Sequence, residues 1–330
     1  MPTPTRPLDA AEPEAWNGSE HLVCPACHAR LTRKADELAC TGCDARYPVI
    51  GRMPVLLTSE SGFAADEVVS SAGTYFEHRI NELPLKRRVR NALPSLGLEL
   101  GSPQLDQLVR EQLSGVEAPV GLALGAGTRP GSFAARFPTV EWIVTDVDGG
   151  YGVDAVADAH GLPLPDASID LVVTEHVMEH LLNPMAAAAE IERVLRPGGI
   201  VLAKIPFLFP WHGGYLDFFR VTPAGMRALF AGCDVVHLAP SMGPASAVAY
   251  ATSGTATAAF SDRIARVVVL TLSRLLLAPL KHLDRWLIGR TSSAGVAAHI
   301  AFVGRRATRR RSNHELIADA RAIGQGRSLT

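Results

Sequence analysis

The sequence predicts an α/β protein: a parallel sheet covered on both faces by helices, with a small four-cysteine unit in front of it. Two observations carry that prediction. Between Val120 and Ile205 short apolar runs alternate with helix-compatible stretches, the order that builds a parallel sheet buried on both sides. Ahead of it, four of the five cysteines, Cys24, Cys27, Cys40 and Cys43, form two C-x2-C pairs.

With 330 residues and a formal net charge of −1, the chain is long enough for a main domain plus an appendage, and nothing global points to nucleic acid. Residues 1–20 are rich in Pro, Ala and Glu and lack the basic start and apolar centre of a signal peptide. A disordered leader and a cytoplasmic location are expected from that composition.

Residues 21–58 hold the cysteine pairs, each in a turn (Cys-Pro-Ala-Cys and Cys-Thr-Gly-Cys). Such spacing lets four thiolates converge on a tetrahedral Zn2+, a structural ion without which so small a segment lacks the core to fold. Cys233, in an apolar strand, reads as a buried inert thiol. Continuing through Tyr47-Pro48-Val49-Ile50-Gly51-Arg52-Met53-Pro54-Val55-Leu56-Leu57, the segment resembles the small zinc-ribbon activator proteins that partner tRNA and protein methyltransferases. The resemblance implies a stabilising or scaffolding role.

In the main domain Val120 to Leu124 is a strand that stops at Gly125-Ala126-Gly127, before a helix from Gly131 to Phe137. Bare backbone in such a turn can approach a nucleoside ligand. Val140 to Thr145 ends in Asp146, about 20 residues past the glycines, where this kind of fold sets a carboxylate against ribose hydroxyls. A second short strand ends at Asp158-Ala159, and Ile169 to Thr174 is a β-branched buried strand. Asn183 caps a helix that runs from Pro184 to Arg196 and stops at Pro197-Gly198-Gly199, before the strand Ile200 to Ile205.

This order resembles the class I S-adenosylmethionine-dependent methyltransferases, in particular their type 11 group, over residues 118 to 232. Gly125-Ala126-Gly127, Asp146, Asp158-Ala159, Leu162-Pro163, Asp170 to Val173, Glu175, Glu179-His180 and Arg193 to Gly199 carry it. The resemblance implies a Rossmann-like, seven-stranded methyltransferase sheet with S-adenosyl-L-methionine as cofactor. It places Gly125, Ala126 and Gly127 by the methionine portion, Asp146 at the ribose, Asp158 and Ala159 at the adenine, and Glu175 and His176 under the sulfonium. Two departures stand out: Ala123 replaces the usual acidic residue, and Arg129-Pro130 the small residue closing the turn. His180 reads as a hydrogen-bonded structural residue.

From Pro206 to Pro223 prolines, glycines and aromatic rings make a loop at the cofactor edge of the sheet, carrying His212, Asp217 and Arg220. It resembles a region of methyltransferases encoded with bacterial surface-glycan assembly enzymes. The reading that follows is O-methylation of a small-molecule or glycan hydroxyl, with His212 as base and Asp217 orienting it; alternatively Asp217 and Arg220 simply pair to brace the loop. No Asn-Pro-Pro-Tyr or Asp-Pro-Pro-Tyr follows the fourth strand, against methylation of exocyclic base amines.

Residues 59–118 read as a helical linker or lid, with helices at Thr74 to Leu83 and Gln104 to Leu113, and the core as 119–240. An insertion, 241–296, precedes the last core strand, 297–305. Its apolar stretch Ile264 to Ile288 is punctuated by Arg266, Arg274, Lys281 and Arg285, and the apolar run, interrupted at Arg274 and Pro279, is too short to span a bilayer. A basic amphipathic helix on the inner face of an anionic membrane, a buried helix and a dimer face all fit. The tail, 306–330, is basic, which keeps RNA as an alternative acceptor; a non-catalytic adaptor that binds a protein through the ribbon is the other alternative. Oligomeric state is not legible.

Overall fold

The computed structural model describes residues 21–51, 53–63, 65, 68, 93–125, 131–149, 152–212 and 216–329. The expected leader, the helix at 74–83, Ala126, Gly127 and Arg129-Pro130 lie outside them.

The core is the α/β sheet that the alternation of elements predicts. Parallel strands β5 (Val120–Leu124), β6 (Glu141–Asp146), β7 (Ala155–Ala157), β8 (Ile169–Glu175) and β9 (Leu195–Pro206) are joined by antiparallel β10 (Cys233–Met242) and β11 (His299–Arg306). Their order across the sheet is β7-β6-β5-β8-β9-β11-β10. The chain runs outward from β5 to β7, then returns to start again at β8, so the reversal of strand order falls between β5 and β8. The carboxyl ends of the strands at that reversal are the usual ligand position in such sheets.

Both faces are covered. Helix α1 (Ser102–Leu113) and helix α2 (Gly131–Arg136) lie on one, where Leu105, Val109, Phe133 and Phe137 pack against Ala123, Leu171 and Val173. On the other, α3 (Pro184–Val194) and α4 (Pro223–Leu229) bury Ala187, Ile191 and Met226 against Leu122, Val172 and Val201. Helix α1 therefore packs on the sheet. Ala123 is itself enclosed in that apolar layer, so the departure from an acidic residue falls at a packed position.

Two boundaries differ from expectation. Helix α3 ends at Val194, not Arg196, and Leu195 to Gly199 already belongs to β9. Pro197 offers no N–H to extend a helix, while Leu195 is buried and pairs with Ile169 across an irregular step in the ladder. Strand β10 extends to Met242 because its partner β11 runs on to His299, opposite it.

The four-cysteine unit is built into the same sheet. Strands β1 (Leu31–Lys34), β2 (Glu37–Cys40), β3 (Arg46–Ile50) and β4 (Met53–Leu56) form an antiparallel meander. Strand β4 then pairs in parallel with β7, Val55 opposite Val156 and Leu56 opposite Ala157, giving one sheet of 11 strands. Leu22, Cys24 and Tyr47 share a hydrophobic cluster with Leu162 and Leu164, and the Val23 N–H donates to the Pro163 carbonyl at 3.0 Å.

Between β10 and β11 the chain leaves the sheet as α5 (Pro244–Ala258), α6 (Arg263–Leu277) and a series of short turns. Asp284, fully buried, ties this excursion together: it accepts from the amides of Ala245 and Ser246 and from the Ser246 hydroxyl, at 2.8, 3.0 and 2.6 Å. The tail is a helix, α7 (Asn313–Gly324), opened by a capping box between Ser312 and Glu315.

Candidate active site

Three strand ends lie side by side at the carboxyl edge of the sheet. Strand β5 ends at Gly125, whose φ of 68° is in the left-handed region; a Cβ there would also collide with the side chain of Val177. Next to it β6 ends in Asp146, a buried carboxylate that accepts the Asp148 amide at 3.0 Å. Beyond it, past β7, the buried Asp158 accepts from the Ser61 hydroxyl at 2.8 Å and from the amide and Nδ1 of His160 at 3.0 and 2.5 Å. Burial would raise the Asp158 pKa, but the contacts with His160 and Ser61 outweigh it and hold the carboxyl below its ordinary value. Ala159 is buried beside it.

The loop after Ala159 is fixed by Arg193. All five of its donors are used: on both oxygens of Glu190 (2.8 Å each), on Asp166 (2.8 Å), and on the carbonyls of Leu164 (2.8 Å) and Leu162 (3.0 Å). This explains physically why an arginine belongs at that point of the helix.

Glu175, at the end of β8, is engaged sideways. Arg136 grips it at 2.7 and 3.0 Å while also holding Asp106 of α1, and Lys204 lies 3.0 Å away. Against the cost of burial, Arg136 and then Lys204 keep its pKa below the ordinary carboxylate value. Glu175→Gln is expected to cost about 2–3 kcal/mol at neutral pH, since it leaves part of a buried cation network unpaired. Because the folded pKa is depressed, the contribution is complete above the unfolded value, about 4.3, and disappears as pH falls through the lower folded one. Urea unfolding of both proteins across that acid window checks it: the curves should converge on acidification.

His176 follows with a left-handed φ of 60°. Its ring lies 4.7 Å from that of His299, and its Nδ1 faces Glu179 at 3.7 Å. Glu179 was quoted in the sequence only as part of a motif, yet it is the centre of this end of the site. It is fully buried, and Nε2 of His180 and Nε2 of His212 face the same carboxylate oxygen, Oε1, at 3.8 and 3.7 Å. Burial pushes its pKa up, but the imidazoles of His176, His212 and His180 more than compensate and bring it down to about 2. No signal in the sequence picks it out, because His212 arrives from a loop more than thirty residues later.

His212 and Asp217 do come together, Nδ1 to Oδ2 at 3.4 Å. The stronger bonds of Asp217 go elsewhere, to the His212 amide at 2.6 Å and to the Arg220 guanidinium at 2.5 and 2.7 Å. Arg220 also holds the carbonyls of Phe209 and Pro210, so the pair braces the loop as well as flanking the imidazole. His180 bonds through Nδ1 to the Leu216 carbonyl, in line with the structural role expected of it.

In the cysteine unit the sulfur pairs Cys24–Cys43, Cys27–Cys40 and Cys27–Cys43 stand 3.8, 3.4 and 3.5 Å apart. All four are free thiols. Zn–S bonds of about 2.3 Å place tetrahedral sulfurs about 3.8 Å apart, so the donor set fits Zn2+. Cys233, by contrast, is a buried thiol pushed up to about 12 chiefly by burial, as an inert cysteine should be.

Comparison with known proteins agrees with this architecture. A family described as "methyltransferase domain" matches residues 126–203. A Mycobacterium ulcerans protein described as an uncharacterized methyltransferase is 35% identical over 105 residues, covering 27% of this chain and 41% of that one. A Mycolicibacterium smegmatis protein described as a probable S-adenosylmethionine-dependent methyltransferase is 53% identical over 45 residues, 14% of this chain and 18% of its own. The chain thus spans less than half the length of the curated relatives it matches. Among solved structures, Haemonchus contortus phosphoethanolamine N-methyltransferase 2 in complex with S-adenosyl-L-methionine aligns at 12% identity and TM-score 0.40, covering 62% of this chain and 53% of that one. Residues 126–203 thus match a methyltransferase domain, and the sheet that carries them has a Rossmann-like strand order.

Proposed function

We propose that the protein is an S-adenosyl-L-methionine-dependent methyltransferase acting on the hydroxyl of a small molecule or surface glycan. The observation that carries the reading is the row Gly125, Asp146, Asp158 closing three adjacent parallel strands, β5, β6 and β7. In it the turn at Gly125, with Ala126 and Gly127, receives the methionine portion, Asp146 the ribose hydroxyls, and Asp158 with Ala159 the adenine. When bound, the cofactor supplies the sulfonium methyl for an in-line displacement, which depends chiefly on positioning. His176 and the His212 loop bound the acceptor side, with His212 as the proton acceptor and Asp217 holding it. Glu175 acts through Arg136 to fix α1 and α2. The four cysteines hold a structural Zn2+.

The helical excursion bears on where the acceptor lies. On α6, Ser273 alone is buried, and Ile264, Val267, Val268, Leu272, Leu275 and Leu276 are exposed beside Arg263, Arg266 and Arg274. No helix among the described residues is long and apolar enough to cross a membrane. A basic helix with such a face suits the surface of an anionic bilayer, and hence a lipid-linked acceptor. Sedimentation with phosphatidylglycerol vesicles is expected to carry the protein down at least about tenfold better than phosphatidylcholine vesicles. Val268→Glu should abolish the difference; equal pelleting with both lipids contradicts the assignment.

The RNA reading loses support from the tail, three of whose arginines are engaged internally. Arg311 pairs with Asp319 at 2.8 Å, Arg309 with Glu315 and Arg310 with Glu192. Transfer of labelled methyl from S-adenosylmethionine to a lipid-linked oligosaccharide fraction, compared with total RNA, tests the choice: incorporation into RNA alone refutes the hydroxyl reading.

A further inference from the structure

We propose that Glu179, His180 and His212 form a binding site for a divalent first-row transition ion, distinct from the four-cysteine site. Among the described residues neither carboxylate oxygen of Glu179 has a hydrogen bond, although the side chain is completely buried. A buried carboxylate is kept ionised only by hydrogen bonds or a countercharge. The surrounding nitrogens stop short of hydrogen-bond distance, yet all turn toward one oxygen: His180 Nε2 at 3.8 Å, His212 Nε2 at 3.7 Å and His176 Nδ1 at 3.7 Å.

The gap among them has the dimensions of a coordination sphere. One donor atom from each of Glu179, His180 and His212 lies within 4.8 Å of the other two. Metal–ligand bonds of about 2.1 Å set tetrahedral edges of about 3.4 Å, so the two edges from Glu179, at 3.8 and 3.7 Å, need a contraction of a few tenths of an ångström, and the edge between the imidazoles is no longer than 4.8 Å.

The far nitrogens are held as ligand imidazoles are. His180 Nδ1 bonds to the Leu216 carbonyl, which leaves Nε2 as the lone-pair nitrogen facing Glu179. His212 Nδ1 lies 3.4 Å from the buried Asp217 carboxylate, with Arg220 Nη2 at 3.3 Å. With an ion bound, Nδ1 carries the hydrogen and Asp217 accepts it. A backbone carbonyl behind one histidine and a carboxylate behind the other are the usual outer partners of metal-binding imidazoles.

Two histidines and one carboxylate suit Zn2+, Fe2+ or Co2+ and leave positions open for an oxygen ligand. The half-exposed His176 and His212 mark the open side. As a ligand His212 cannot also be a proton acceptor, so the site offers a different means of activating an acceptor oxygen, coordination. Binding of the ion does not depend on methyl transfer.

The test uses the full-length, zinc-loaded protein. Elemental analysis after incubation with excess Zn2+ and gel filtration is expected to find two ions per chain in wild type and one in Glu179→Gln and in His212→Gln, each with unchanged circular dichroism. Affinity for the second ion should fall at least about 100-fold, the upper end of what losing even an outer partner does. Co2+ added to wild type carrying one equivalent of Zn2+ per chain should give the weak visible bands of a nitrogen and oxygen site without thiolate charge transfer. That measurement needs no variant, and it decides the matter if either substitution prevents folding. One ion per chain in wild type, a second ion retained by both folded variants, or a thiolate signature on the added Co2+ overturns the proposal.

Discussion

Asp146→Ala is expected to lower the affinity for S-adenosylhomocysteine by at least about 100-fold, measured by calorimetry. A carboxylate gripping a ribose diol makes charge-assisted hydrogen bonds that together contribute about 3 kcal/mol, and each 1.4 kcal/mol is about tenfold in affinity. Asp146 is suited to that task because it is buried at the end of β6 and steadied by the Asp148 amide at 3.0 Å. Asp146→Asn removes the charge but keeps the shape and one acceptor oxygen, so it should lose only about tenfold. Wild-type affinity in the alanine variant means the ribose does not sit at β6. A folded wild type that fails to bind at all removes the methyltransferase reading and favours an adaptor.

Removing the Zn2+ proposed for the cysteine unit is expected to damage the whole protein. Structural Zn2+ contributes apparent free energies of about 10–16 kcal/mol to small sites, comparable to the total stability of a domain, about 5–15 kcal/mol. The unit also touches the loops of the active site. Met53 of β4 lies where a Cβ on Gly149, just past Asp146, would go; Val23 bonds Pro163; Ser61, just past the unit, bonds Asp158. Chelation, or Cys40→Ser, should therefore empty the cysteine site, lower the melting temperature, and weaken S-adenosylhomocysteine binding about tenfold or more. Cys233→Ser, which alters a thiol outside the unit, should retain that ion. Cofactor affinity unchanged after chelation would separate the unit from the site.

The parts legible in advance were those written in local sequence. A strand, its terminal glycine or aspartate and the following helix lie within twenty residues, and Gly125, Asp146 and Asp158 could be read there. The Cys24, Cys27, Cys40, Cys43 spacing is equally local, and the geometry accommodates it. Glu179 was not legible as a centre, because its meaning depends on His212 and on a turn that swings the two together. Nor was the docking of β4 on β7, since Met53 to Leu56 reads as a strand with no hint of its partner. The end of α3 was misplaced because Leu195 fits a helix by itself, and only its pairing with Ile169 draws it into a strand.

The pairing of β4 with β7 also decides what the sheet presents to other molecules. Without it the sheet would end at Ala155–Ala157, a short apolar strand with unsatisfied backbone groups, the kind of border along which chains stack on one another. The fused meander moves that border outward to Leu31–Lys34, a four-residue strand carrying Arg33 and Lys34 on its exposed stretch. Positive charge is an ordinary defence against edge-to-edge association. The N-terminal unit is thus a guard against aggregation, and a chain shortened to begin after it would be expected to precipitate before it could be assayed.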